Sequence, residues 1–123
     1  MKTFSKEERI CGKITIDDLV AKGKSFNSFP FRIVWLEVKE RKVAVKVVIS
    51  VPKRIFKRAV DRNRLKRLTR EGYRMNKEIL SSSLKSKKVN VLFVYTAKTI
   101  LEGNEMQEKM VVALTLLAKK ILL

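Results

Sequence analysis

The chain has 123 residues, and 29 lysines and arginines against 12 aspartates and glutamates give it a formal net charge of +17. With 46 % hydrophobic residues it has enough apolar side chains for a core, which excludes a disordered basic tail. The length suits a single domain over residues 1–123. Two uncharged apolar runs, 89–97 and 110–118, are far shorter than the roughly 20 residues of a membrane span. We therefore expect no transmembrane helix.

The composition also removes most catalytic chemistry. Histidine is absent and Cys11 is the single cysteine, which excludes a Ser-His-Asp triad, an imidazole base and the usual zinc sites. A lone cysteine gives no internal disulfide, which fits a reducing, cytoplasmic location. Glu102, Glu105 and Glu108 have helical spacing, but acids at a helix start suit the helix dipole better than a metal site. We expect no catalytic residues and no metal bound by the protein itself.

The first part of the chain predicts a short helix and two strands. Thr15 and Asp18 have the spacing of a capping box, and Gly23 supplies a stop. Residues 31–38 are rich in β-branched and aromatic side chains, which predicts a strand, and residues 43–51 predict another. The short charged link between them suggests an antiparallel hairpin.

The second part predicts a long helix, a third strand and a last helix. The long helix covers about residues 56–80 and the strand covers 89–96, so strand, helix and strand imply a crossover onto one sheet. The strand is apolar at both odd and even positions, as expected of a strand buried on both faces. The helix at 105–123 carries one apolar stripe, formed by Met106, Met110, Ala113, Leu117 and Ile121.

The long helix is strongly basic on one side. Residues 53–77 hold eleven lysines and arginines, opposed by Asp61 and Glu71 alone. At about 100° per residue, one narrow sector is apolar: Leu65, Leu68, Gly72, Met75 and Ile79. The opposite side is basic: Lys66, Arg67, Arg70 and Arg74, with Asn63 among them and Arg62 at the edge. Because such charges repel one another, this pattern favours a polyanionic partner over a merely solvated face.

Nucleic acid is the polyanion that the pattern favours. A membrane is disfavoured because an interfacial helix needs a free apolar face, and here that face is committed to the core. Arginine exceeds lysine at the helix centre, which favours bidentate phosphate contacts. From charge alone, a ribosomal or other structural RNA-binding protein fits equally well. A DNA-binding module is a third alternative, disfavoured because the helix lies flat on a sheet rather than projecting into a major groove.

The basic segment resembles a known family. Residues 57–71, KRAVDRNRLKRLTRE, resemble the signature helix of the protein component of bacterial ribonuclease P. Four further segments are similar to the same family: 4–10, 22–26, 30–32 and 50–54. The resemblance covers about residues 4–100 and weakens in the last helix. An Arg-Asn-Arg triplet alone is a weak signal, but within this basic run and after this strand it is specific.

The resemblance implies both a fold and an activity. The fold is α+β, a two-layer sandwich of a mixed sheet with about four strands and about three helices, with the basic helix in a left-handed crossover. The activity is that of a ribonucleoprotein endonuclease, in which a catalytic RNA removes the 5′ leader from precursor tRNA. Magnesium is held by the RNA subunit and the substrate, and the partners are ribonuclease P RNA and precursor tRNA, with no DNA and no membrane.

The resemblance also implies two groups of binding residues. The group expected to contact the catalytic RNA is Lys53, Arg54, Arg58, Arg62, Asn63, Arg64, Lys66, Arg67, Arg70 and Arg74. The group expected at a cleft for the leader, between the first helix and the sheet, is Arg9, Ile16, Val20, Phe31, Arg32, Trp35, Lys46 and Ser50. Strand alternation puts Phe31 and Trp35 on the face opposite Arg32, so these three cannot all line one cleft. Ile16 and Val20 stand where many relatives have aromatics, so base stacking would be replaced by apolar contact.

Overall fold

The structure is a computed structural model and describes residues 13–38, 45–84 and 87–122. The described residues form four helices and four strands: α1 (Lys13–Lys22), β1 (Lys24–Ser28), β2 (Phe31–Val38), β3 (Val45–Ser50), α2 (Ala59–Asn76), α3 (Glu78–Ser81), β4 (Lys88–Tyr95) and α4 (Gly103–Leu122). In this part of the chain, no helix combines the length and the apolar character that crossing a bilayer requires.

The strands form one mixed sheet in the order β1-β2-β4-β3. β1 and β4 each run antiparallel to β2, and β3 runs parallel to β4. The helices α2 and α3 connect the two parallel strands, so the predicted crossover is confirmed. The predicted α+β fold with a mixed four-stranded sheet is confirmed as well. The short α3, separated from α2 at Lys77, makes the helices four rather than three.

The predicted hairpin between β2 and β3 is wrong. The two strands run in opposite directions, but β4 lies between them and pairs with both. The physical reason is the composition of β4, which is buried on both faces, with Val91 and Phe93 on one side and Leu92 on the other. A central position gives such a strand a covered environment on each face. β1 was not predicted, because its polar residues give little strand signal and it pairs with β2 alone.

The two faces of the sheet have different coverings. The helices α2, α3 and α4 cover the face that carries the main core, including Ile33 of β2, Val47 of β3 and Phe93 of β4. On the other face, Leu19 of α1 packs against Val34 and Leu92 in a smaller apolar cluster. The sheet and the three later helices are therefore the two main layers, and of the helices in the described ranges α1 is the one that packs on the second face of the sheet.

The helix α2 packs chiefly against α4. Asn76 links the two helices, because its amide nitrogen donates to the Gly72 carbonyl at 2.8 Å and to Gln107 Oε1 at 2.6 Å. The predicted apolar stripe of α4 is confirmed, since its five residues are all buried.

The apolar side predicted for α2 is partly corrected. Leu65 and Gly72 are buried as expected, together with Thr69 and Tyr73, but Met75 is 43 % exposed. The buried side of α2 therefore includes Thr69 and excludes Met75, so it is turned about the helix axis relative to the predicted apolar side. The Thr69 hydroxyl donates to the Leu65 carbonyl at 2.7 Å, which satisfies the buried oxygen.

Candidate nucleic-acid interface

A compact turn between β3 and α2 sets the position of the basic helix. The backbone amides of Ile55 and Phe56 both donate to the Pro52 carbonyl at 3.2 Å. The helix has no side-chain cap at Arg58, whose backbone is extended. Arg62 ties the turn to the helix in a different way, because its Nη1 donates to the carbonyls of Phe56 and Lys57, both at 2.8 Å. Arg62, predicted to contact RNA, therefore also holds the turn against the helix.

The other predicted RNA contacts lie on the turn and along the outer side of α2. We call this surface the basic face: Lys53, Arg54, Arg58, Asn63, Arg64, Lys66, Arg67, Arg70 and Arg74. Lys66 and Arg74 are half-buried and the other seven residues are exposed. Every residue predicted to contact RNA thus belongs to one continuous stretch of chain, 53–74, and α2 carries most of them.

Two arginines of the basic face are paired with carboxylates in the free protein. Arg64 Nη2 lies 2.9 Å from Glu102 Oε1, and Arg74 pairs with Glu71 one turn earlier on α2. The hydrogen bond from Arg74 lowers the pKa of Glu71 below its usual value, and the same contact raises the pKa of Arg74. Both pairs are accessible to solvent, which screens them, so they contribute little to stability.

The centre of the basic face is not neutralised. Among the residues that the structure describes, no carboxylate forms an ion pair with Lys66, Arg67 or Arg70. Guanidinium groups offer planar, bidentate hydrogen-bond donors that match a phosphate. A polyanion placed here would relieve the mutual repulsion of three adjacent cations, and it could compete for the two paired arginines at little cost.

A second surface lies on the face of the sheet that α1 covers only in part, and we call it the cleft face. The register sets Ser50 beside Val94 and Val94 beside Arg32, so these three side chains form one row across the sheet. Lys46 lies beside Asn90 in a parallel row nearer the opposite end of β3. Three of the predicted leader residues, Arg32, Lys46 and Ser50, therefore share this face. Val20 of α1, a fourth, is 63 % exposed.

Phe31 and Trp35 do not line this cleft, so their assignment to it is corrected. Both lie on the opposite face of β2 and belong to the main core, with 1 % and 7 % exposure. The Phe31 ring packs edge-on against Phe93 and Tyr95, at centroid distances of 5.5 and 6.0 Å. Alternation along the strand decides this placement, since Arg32 occupies the cleft face. Arg9 and the side chain of Ile16 lie outside the described residues.

Sequence reasoning missed several residues of the cleft face. Val48, Leu36 and Val94 are partly buried there and give it an apolar floor between the polar side chains. Asn90 is a buried polar residue in the same face. The available signal was the alternation of β4, whose even-numbered residues had to face away from the main core.

The described residues offer no clear metal centre. Within residues 13–38, 45–84 and 87–122, no group of three or more histidine, cysteine, aspartate or glutamate side chains could hold a metal ion. Glu102, one of the three glutamates with helical spacing, is engaged by Arg64. The arrangement of cations on the basic face can bind an anion and position it.

Comparison of the chain with known proteins identifies the family to which it belongs. The family model for Ribonuclease P matches residues 4–119. The chain belongs to the ribonuclease P family. The ribonuclease P protein component of Porphyromonas gingivalis strain W83 is 40 % identical over 87 residues, which cover 70 % of this chain and 64 % of that relative. The corresponding protein of Chlorobaculum tepidum is 51 % identical over 43 residues, covering 35 % of this chain and 28 % of that one.

Solved ribonuclease P proteins share the fold. The Staphylococcus aureus RNase P protein superposes with a TM-score of 0.67 at 25 % identity, covering 93 % of this chain and 96 % of that one. The Thermotoga maritima RNase P protein gives a TM-score of 0.71 at 21 % identity, covering 88 % and 96 %. The chain spans just under two thirds of the length of the Porphyromonas gingivalis relative that it matches. The ribonuclease P fold is thus shared over nearly the whole chain.

Proposed function

We propose that the chain is the RNA-binding protein subunit of ribonuclease P, a ribonucleoprotein that removes the 5′ leader from precursor tRNA in the cytoplasm. The observation that carries the proposal is the un-neutralised centre of the basic face on a member of this family. A folded protein that keeps Lys66, Arg67 and Arg70 together, with no carboxylate partner for them among the described residues, is suited to a polyphosphate surface.

The proposed division of labour gives the chemistry to the RNA. Magnesium held by the RNA subunit and the substrate would activate the attacking water. The protein's own residues would bind the RNA subunit and orient the precursor tRNA. This assignment is supported by the lack of histidine in the chain and by the lack of a metal-holding cluster among the described residues. The chain is therefore part of an endoribonuclease without being catalytic by itself.

The basic face is the proposed contact with ribonuclease P RNA. Arg67 and Arg70 extend from successive turns of a helix that α4 and β3 hold in place, so the donors are positioned before binding. Each phosphate that they neutralise releases condensed counterions, so binding weakens steeply as salt rises. Arg64 and Arg74 can join once they leave Glu102 and Glu71.

The cleft face is the proposed contact with the leader of precursor tRNA. Arg32 and Lys46 lie on either side of an apolar floor that includes Val48 and Val94. Cations beside an apolar floor suit a single strand, whose phosphates and bases lie side by side. Because Phe31 and Trp35 are buried elsewhere, apolar contact with Val20 and the sheet would replace stacking on those rings.

Reconstitution tests the proposal. The purified chain, added to a bacterial ribonuclease P RNA at low magnesium, should raise the rate of precursor-tRNA cleavage and should cleave nothing without that RNA. The triple variant Lys66→Gln/Arg67→Gln/Arg70→Gln should lose most of the stimulation. The matched control Lys98→Gln/Lys109→Gln/Lys119→Gln removes three charges elsewhere and should keep it. Cleavage by the protein alone, or a wild-type chain without effect on the ribozyme, contradicts the proposal.

Leader recognition is tested with two substrates. Arg32→Gln/Lys46→Gln should weaken binding of precursor tRNA to the reconstituted enzyme by about tenfold, roughly what the loss of two solvent-accessible ion pairs would give, and should leave mature tRNA binding unchanged. The control Lys98→Gln/Lys119→Gln should bind both substrates like the wild type. Equal weakening for precursor and mature tRNA would assign Arg32 and Lys46 to some other contact.

A further inference from the structure

A lysine-lined groove lies between the edge strand β1, the end of β2 and the C-terminal end of α4. It contains a cavity of about 210 Å³ whose polar and aromatic lining is Lys22, Lys24, Trp35, Glu37, Lys87 and Lys120. A neighbouring cavity of about 270 Å³ shares Lys24, Trp35 and Lys120 and adds Ser25. The two cavities share three lining residues, and we call them together the lysine groove.

The lysines of this groove are held in place. Lys24 Nζ lies 5.5 Å from the centroid of the Trp35 ring, and Lys120 Nζ lies 5.2 Å from that of Phe26. An ammonium over an aromatic face is attracted to it and keeps its N–H donors available on the other side. These two ammonium groups therefore each have a preferred position over a ring at the groove.

The charge of the groove is dominated by one sign. Lys87 Nζ donates to the Ile121 carbonyl at 2.9 Å and lies 3.9 Å from Glu37 Oε1. Among the residues that the structure describes, Glu37 is the one carboxylate in the lining, against four lysines. Lys24 and Lys120 line both cavities and face the same open space.

The groove is separate from the basic face. α4 contacts β1 and α2 contacts β3, and these are the two opposite edge strands of the sheet. The lysine groove lies at the β1 edge, whereas the turn that leads into α2 leaves from the β3 edge. Neither the basic face nor the cleft face contributes one of its cations to the groove.

We propose that the lysine groove binds the phosphodiester backbone of an RNA strand, as a contact additional to the basic face and the cleft face, at the edge of the sheet opposite the basic face. The inference rests on the proposed function for the identity of the polyanion and goes beyond it in the surface used. Compact ammonium groups suit single phosphates as point charges. A large RNA can reach both edges, and the second contact then forms at high effective concentration. A lipid surface fits poorly, because Trp35 is 7 % exposed and offers no free ring to a bilayer.

Charge-removal variants test the groove. Lys24→Gln/Lys120→Gln should lower the affinity for a bacterial ribonuclease P RNA about fivefold and reduce the slope of log affinity against log salt by about two, one per phosphate contact. The control Lys98→Gln/Lys109→Gln removes the same amount of charge outside the groove. It is matched in a second respect, because Lys109 also lies over an aromatic ring, that of Phe29. This control should bind like the wild type. The variant Lys24→Arg/Lys120→Arg, which keeps the charge, should retain most of the affinity.

Intrinsic fluorescence gives a direct readout, because Trp35 is the single tryptophan and lines the groove. A short oligouridylate should change the Trp35 emission of the wild-type chain with a salt-sensitive midpoint, and should not change that of Lys24→Gln/Lys120→Gln. No change in the wild type overturns the proposal, even where a variant fails to fold. A larger response to polyglutamate than to oligouridylate also overturns it, in favour of an acidic protein segment.

The failures of the two proposals can be told apart. If the wild-type chain neither binds nor stimulates the ribozyme, the proposed function fails. If the wild type and the Lys98→Gln/Lys109→Gln control both stimulate it and the groove variant binds RNA equally well, the groove proposal alone is overturned.

Discussion

Arg64 and Glu102 form a two-point contact, in which Nη2 of the arginine donates to both carboxylate oxygens at 2.9 and 3.0 Å. The pair connects the basic helix to the residue just before α4, 38 positions along the chain. It also keeps one arginine of the basic face occupied in the absence of RNA. If the basic face binds phosphate as proposed, the Glu102 carboxylate competes with that phosphate for Arg64.

Glu102→Gln should accordingly strengthen RNA binding. Releasing Arg64 is expected to raise the affinity about twofold, and the free energy of unfolding should change by less than about 1 kcal/mol because the pair is solvent-exposed. Filter binding at several salt concentrations and urea unfolding measure the two quantities. Arg64→Gln should bind more weakly whether residue 102 is Glu or Gln. Weaker RNA binding by Glu102→Gln would mean that the carboxylate positions Arg64 for RNA.

Arg62 should affect stability more than its neighbours on the basic helix. Arg62→Lys keeps the charge but loses the two hydrogen bonds from Nη1 to the Phe56 and Lys57 carbonyls. The expected cost is about 1–2 kcal/mol in the free energy of unfolding, since net hydrogen bonds are worth about 1 kcal/mol each. Arg67→Lys, on the exposed side of α2, is the matched control and should stay within about 0.5 kcal/mol of the wild type. Equal urea midpoints for both variants would contradict the structural role of Arg62.

The elements that the sequence predicted well are those whose periodicity is strong over many residues. β2 begins and ends where the pattern placed it, and the stripe from Met106 to Ile121 is buried as expected. Strand partners depend on tertiary competition, which periodicity does not record. The position of β4 between β2 and β3 can be understood only when the burial of the three strands is compared, and the pattern of a single strand does not reveal it. β1, short and polar, is defined only by its pairing with β2.

For the candidate site, the sequence predicted which residues form the basic stretch better than it predicted the contacts that these residues make within the protein. The basic stretch and its helix could be read from the sequence, and the alternation of β2 already separated Arg32 from Phe31. The hydrogen bonds of Arg62 to the preceding turn and the pairing of Arg64 with Glu102 could not be predicted, because they depend on how that turn and the start of α4 approach α2. The lysine groove escaped prediction for a similar reason, since Lys24 and Lys120 are 96 positions apart and meet only in the folded chain.

Two glycines should respond in opposite ways to alanine. A Cβ at Gly72 would lie 3.6 Å from Met110 Cβ and 3.7 Å from Met106 Cγ, which is ordinary contact. Gly72→Ala should therefore stabilise the protein by about 0.5–1 kcal/mol, the usual gain of alanine over glycine inside a helix. A Cβ at Gly23 would lie 2.3 Å from the Leu19 carbonyl oxygen and 2.8 Å from Val34 Cγ1. Gly23→Ala should destabilise by about 1–3 kcal/mol through overpacking.

Urea unfolding of the two alanine variants beside the wild type gives both signs in one experiment. Gly23 lies where α1 packs against β2. The expected loss of stability in Gly23→Ala therefore serves as the control, because it shows that the assay detects steric strain. A destabilised Gly72→Ala would show that α2 and α4 pack more closely at this position than the distances to the two methionines indicate.

Tyr95 should make stability depend on alkaline pH. Its buried hydroxyl donates to the Thr99 carbonyl at 2.6 Å and accepts from the Leu101 amide at 3.1 Å. Burial raises the pKa of Tyr95 above its ordinary value. Below the unfolded pKa of about 10, both states keep the proton and this contribution is constant. Above it the unfolded state loses its proton first, so the free energy of unfolding falls as pH rises toward the folded pKa.

Tyr95→Phe separates the hydrogen bonds from the titration. At about pH 8 the variant should be less stable than the wild type by about 1–3 kcal/mol, because the Thr99 carbonyl and the Leu101 amide lose their partner in a buried site. Toward about pH 11 that difference should shrink, since phenylalanine has no proton to release in the unfolded state. Urea unfolding of both proteins at the two pH values measures the change, and the deprotonation of lysines affects both alike. A difference that stays constant with pH would show that the pKa of Tyr95 is not raised by folding.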